Sequence, residues 1–98
     1  MIYDVTVVMY EPIVSQDSIA KVHAVMEELG FSQKVTTTDK RSLGLPADMY
    51  MGKFEGEGLR KVRDDLSASL KDKMSGSGLK NRFILLVSPP AAWSIRNT

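Results

Sequence analysis

Residues 2–12, IYDVTVVMYEP, and residues 15–31, SQDSIAKVHAVMEELGF, decide the fold. The first run alternates and is rich in β-branched residues. It places Tyr3, Val5, Val7 and Met9 on one side of a strand and Ile2, Asp4, Thr6, Val8 and Tyr10 on the other. Pro12 fixes its own φ and has no amide proton to give a ladder, so the strand should stop near Tyr10 or Glu11. In the second run Ser15 stands as N-cap and Asp17 lies in the first turn, where the helix dipole favours an acid. Ile19, Val22, Met26 and Leu29 then recur every three or four residues, widened by Val25. Gly30 supplies a left-handed closing residue, over which Phe31 folds back. A strand folding back onto a helix is the unit that the rest of the chain repeats.

Composition bounds the possibilities. Ninety-eight residues make one domain with one modest core, read here as a core over 1–88 and a tail over 89–98. The 43% hydrophobic and 26% charged content is that of an ordinary globular chain. There is no cysteine, which removes disulfide, thiolate-metal and cysteine-nucleophile chemistry and fits a cytoplasmic protein. No apolar run is long enough to span a bilayer, and the N-terminus lacks the pattern of a cleaved leader, so no membrane partner is expected. A net charge of +1 gives no global field for duplex DNA; a nucleic-acid partner has to be held by a local patch.

Phe31 to Thr38 reads as a second, more polar edge strand, and Asp39 to Pro46 as a connecting loop tipped by Lys40 and Arg41. Asp48 to Glu55 is a third strand with Tyr50, Gly52 and Phe54 opposite Met49, Met51 and Lys53; the pattern leaves open which set faces inward. Gly56 to Gly58 interrupts, and Leu59, Val62, Leu66 and Leu70 make the stripe of a second helix extending to Met74, ended by Ser75-Gly76-Ser77-Gly78. Arg82 to Ser88 is the fourth strand, and its unbroken apolar run Phe83–Val87 predicts burial on both faces. Pro89 and Pro90 stop it, and Trp93 and Ile95 in the tail are expected to dock. The order βαββαβ with right-handed crossovers predicts an α+β, ferredoxin-like domain with a four-stranded antiparallel sheet and both helices on one face. The apolar character of the other face predicts a covering partner, through Ile2, Val8, Ile84, Leu86, Trp93 and Ile95, with a homodimer as one form.

Residues able to do chemistry are few. His23, the only histidine, sits at the edge of the first helix's apolar stripe, where packing is the ordinary role and acid–base work the functional one. Asp4, Glu11 and Asp48 lie near strand ends without metal-ligand spacing, and no metal or cofactor motif is present. Lys34, Lys40 and Arg41 have few compensating acids and could touch phosphate, whereas Arg60, Lys61 and Arg63 are balanced by Asp64 and Asp65. Tyr10 and Tyr50 are placed to stack unpaired bases on the open face of the sheet.

The strand ending in VVMYEP, the helix finishing in ELGFS with Val35 after it, GLP at 44–46 and the short third strand together resemble the GhoS-type endoribonuclease antitoxins over roughly residues 5–55. That family is similar in fold to the small CRISPR adaptation proteins and the VapD-type ribonucleases. The resemblance implies a ferredoxin-like domain that binds or cleaves the single-stranded messenger of a partner toxin. The family's helix arginine is replaced here by Lys21 and His23, so RNA contact by that face passes to these two, with His23 as the candidate catalytic residue. The sequence departs from the family in the missing arginine, a longer loop before Gly44 and a Trp-bearing tail. The alternative is a non-catalytic homodimeric interaction module, a phage or plasmid adaptor, using the open sheet face.

Overall fold

The computed structural model describes residues 1–10, 16–36, 42–45, 48–79 and 82–90. The order is β1 (Ile2–Met9), α1 (Gln16–Leu29), β2 (Lys34–Thr36), β3 (Ser42–Gly44), β4 (Met49–Glu55), α2 (Leu59–Gly76) and β5 (Phe83–Ser88). β1 is the middle of a three-stranded antiparallel sheet, β4-β1-β5, with Val7 opposite Tyr50 on one side and Leu85 on the other. Its odd-numbered residues form the floor of the core: Val5 and Val7 are fully buried, and Tyr3 and Met9 nearly so. Val22, Val25 and Met26 of α1 and Val62, Leu70 and Met74 of α2 close over them from the same side. Each fully buried aliphatic of this kind contributes about 1.5–3 kcal/mol relative to exposure. Ile19 and Leu59, the first members of the two helical stripes, are more than a third exposed and lie outside this core.

Both helices end the same way. Gly30, at φ +94°, donates its amide to the Glu27 carbonyl, and the Phe31 amide reaches Met26 at 2.8 Å. Gly78, at φ +75°, donates to Ser75, and the Leu79 amide reaches Met74 at 2.9 Å. These are Schellman closures, each sealed by burial of the apolar residue that follows the glycine. The second helix therefore runs through Ser75 and Gly76 and is closed by Gly78.

The α+β class is as the sequence predicts, but the described residues form a three-stranded sheet and not the four-stranded one expected. The segment after α1 touches β4 through one bridge, Ser32 with Met51, whose amides and carbonyls exchange bonds of 2.8 and 2.9 Å. The Ser32 side-chain oxygen then accepts the Lys34 amide at 3.0 Å, a local turn that competes with continued pairing to β4. From there β2 pairs with β3, three residues inside the stretch expected to be a loop. β5 departs from expectation too. Its odd residues Phe83, Leu85 and Val87 pack on the core, but Ile84 and Leu86 are exposed, because both helices lie on the other side of the sheet. In β4 the inward set is Tyr50, Gly52 and Phe54. Pro12, the Ser15 cap, Lys40, Arg41, Trp93 and Ile95 lie outside the described residues.

Gly52 is required by close approach. A Cβ there would stand 2.9 Å from the Gly30 carbonyl oxygen and 2.7 Å from the Phe54 ring, and the first of these is backbone that cannot swing aside. Gly52→Ala should therefore lower stability by about 1–3 kcal/mol, and Leu70→Ala, which empties a fully buried position, by about 2–5 kcal/mol. Gly44→Ala, with nothing within 4 Å of its added carbon, should stay within about 0.5 kcal/mol. Denaturant midpoints of the three variants test the ranking.

Candidate functional site

The Schellman turn after α1 and the single Ser32–Met51 bridge leave a cleft of about 560 Å³ between the C-terminal half of α1, the start of β2 and β4. His23, Glu27, Gly30, Phe31, Ser32, Gln33, Lys34 and Tyr50 line it. His23 and Glu27 are one helical turn apart and so share a face of α1. Tyr50 comes from β4 on the helix side of the sheet, opposite Val7. Lys34 opens β2 at the exposed rim.

The centre of the cleft is the pair His23 and Tyr50. The phenol oxygen lies 3.4 Å from imidazole Nδ1, a long hydrogen bond whose direction depends on the tautomer. The rings meet edge to face at 5.6 Å and 67°. Burial, and then the negative charge of Asp48, push the Tyr50 phenol above its ordinary value of 10.0. It is therefore a neutral hydroxyl at physiological pH, able to accept from a protonated imidazole or donate to a neutral one. Among the described residues neither the Glu27 carboxylate nor the Lys34 ammonium has an ion-pair partner. The cleft thus gathers an imidazole, a carboxylate, an ammonium and a phenol, the kinds of group that stabilise an oxyanion and transfer protons.

Three residues singled out in the sequence, His23, Lys34 and Tyr50, meet in this one place. Tyr50 does so in a way that corrects its expected role. It is 4% exposed on the helix-covered face, so its ring cannot stack a base on the open face. Lys21 is exposed on α1 and does not line the cleft. Tyr10 is exposed beyond the end of β1. Glu27 was not singled out from sequence; its spacing of four from His23 was the available signal. No group of three metal-ligating side chains occurs among the described residues, and no helix among them is long and apolar enough to cross a membrane.

The opposite face of the sheet is layered. Met49, Val8 and Ile84 form one cross-strand row, and Met51, Thr6 and Leu86 the next. A third row is polar, where Lys53 donates to Asp4 at 3.1 Å opposite Ser88. Leu86, Ile2 and Ile84 are 58%, 53% and 41% exposed. No family model matches the sequence, and no curated protein matches it.

Because the unfolded phenol ionises before the folded one, the contribution of Tyr50 is complete below the unfolded value and is lost as pH rises through the higher folded value. Stability should fall on going above about pH 10, and Tyr50→Phe should remove part of that fall. At neutral pH the same variant should cost about 0.5–1.5 kcal/mol for the lost hydrogen bond. Denaturant midpoints at neutral and alkaline pH measure both.

Proposed function

We propose that this chain is a small RNA-binding protein of the endoribonuclease-antitoxin kind, which takes the single-stranded messenger of a partner toxin into the cleft between α1 and β4 and cleaves it. The observation that supports this most is the convergence of His23, Glu27, Lys34 and Tyr50 on one cleft. Metal-independent strand scission needs a base for the ribose 2′-hydroxyl, an acid for the leaving oxygen and a cation on the phosphate. The cleft residues supply each of these groups. The resemblance over residues 5–55 to the GhoS-type antitoxins supports the same substrate class. The frame is ferredoxin-like on this reading, with order β5-β1-β4 and the Ser32 bridge in the place of a fourth strand.

In this role Lys34 is the phosphate contact and His23 the proton-transfer group. Lys34→Ala should weaken binding to all single-stranded RNA alike and flatten the dependence of log K on log salt by about 0.7. His23→Ala should lower cleavage by about 10²–10⁴-fold and leave affinity nearly unchanged. Filter binding over a salt series and gel assays on a mixed RNA pool, with and without EDTA, measure these quantities. A pool left intact under both conditions excludes the nuclease.

A second reading, a homodimeric interaction module, is favoured by the exposure of Ile84 and Leu86 beside Val8, Met49 and Met51. On that reading Leu86→Asp converts a dimer to a monomer in sedimentation analysis and does not alter RNA binding. A wild-type chain that sediments as a monomer at every concentration tested removes it.

A further inference from the structure

Proton transfer by His23 leaves the other half of the reaction unassigned, and the cleft holds a group suited to it. Glu27 lies one turn along the same face of α1, is exposed at the rim, and has no ion-pair partner among the described residues. Both side chains line the cleft that Lys34 borders. On a helix such neighbours stand roughly 5–6 Å apart between Cβ atoms, so both side chains can reach one substrate in the cleft. The surroundings also divide the labour. The Tyr50 phenol oxygen engages Nδ1, which leaves Nε2 as the ring nitrogen available to donate to a substrate oxygen. A free carboxylate is acceptor-only and suits the opposite task.

Resting on the cleft as the RNA site, we infer that Glu27 is the general base and His23 the general acid of an internal transesterification of single-stranded RNA. The Glu27 carboxylate takes the proton of a ribose 2′-hydroxyl, and the 2′-oxygen forms a bond to the adjacent phosphorus. The bond from phosphorus to the 5′-oxygen of the next nucleotide breaks, and His23 Nε2 gives that oxygen its proton. The products are a 2′,3′-cyclic phosphate end and a 5′-hydroxyl end. Lys34 stands against the charge gathering on the non-bridging oxygens, and Tyr50 is a positioning residue that holds the imidazole through Nδ1.

The test uses the full chain and a short single-stranded oligoribonucleotide that it cuts. The fragments should carry 2′,3′-cyclic phosphate and 5′-hydroxyl ends, and a 2′-O-methyl group at the cut site should abolish cutting. Glu27→Gln and His23→Ala should each lower kcat by about 10²–10⁴-fold with binding retained. A 5′-bridging thiolate, whose departure needs no acid, should restore His23→Ala to within about tenfold of wild type and leave Glu27→Gln slow. Glu27 is exposed, so its variant should unfold at the wild-type midpoint. Ends bearing 3′-hydroxyl, cutting of the 2′-O-methyl substrate, or wild-type turnover in Glu27→Gln would overturn the assignment while leaving the cleft as a nuclease site. RNA that binds uncut overturns the assignment and leaves the RNA-binding reading; RNA that does not bind overturns both.

Discussion

Everything in this fold hangs on β1 being hydrogen-bonded along both edges while its odd-numbered side chains are sealed beneath two helices. From Asp4 to Val8 the strand is paired on both sides, so its register cannot slip without breaking two ladders at once. A slip of one residue would also turn Val5 and Val7 out of the core and Asp4 and Thr6 into it. That double constraint fixes where β4 lies, and with it the position of Tyr50 beneath His23.

The cleft follows from the same register. Val7 sets Tyr50 on the helix side, and Gly52, two residues on, lets the turn after α1 press against β4. Among the described residues the Ser32–Met51 bridge is the one backbone pairing between that turn and β4. Continued pairing from Ser32 onward would have occupied the ground beside Tyr50 with backbone. The early departure of the chain toward β3 leaves it open, and Lys34 sits at the start of the departing strand.

Much of this was legible in residue order. Alternation in 2–9 gave β1 and its core face, and the three-and-four spacing through Val22, Met26 and Leu29, ended by Gly30, gave α1 with its closing turn. These are local patterns, repeated often enough to outweigh competing conformations. What was not legible depended on partners distant in sequence. Phe31–Thr38 has the composition of a strand, but its pairing with β4 competes with the turn in which the Ser32 side chain accepts the Lys34 amide and with pairing to β3. An apolar run such as Phe83–Val87 is compatible with burial on two faces or one, and only the placement of both helices on the same side decides. Tyr50 was ambiguous for the same reason, since alternation gives two sets of side chains without saying which is inside. Among the site residues, His23 and Lys34 stood out by chemistry. Glu27 is one carboxylate among many until the fold puts it beside them.

The rows on the side of the sheet away from the helices have a polarity of their own. Two are greasy, and the third is closed by the Lys53–Asp4 pair, with Asp4 itself only 8% exposed. A surface that is oily at one end and ionic at the other is not indifferent to rotation. Whatever lies down on it meets a built-in compass, because turning it end for end would set charge against hydrocarbon at both ends at once.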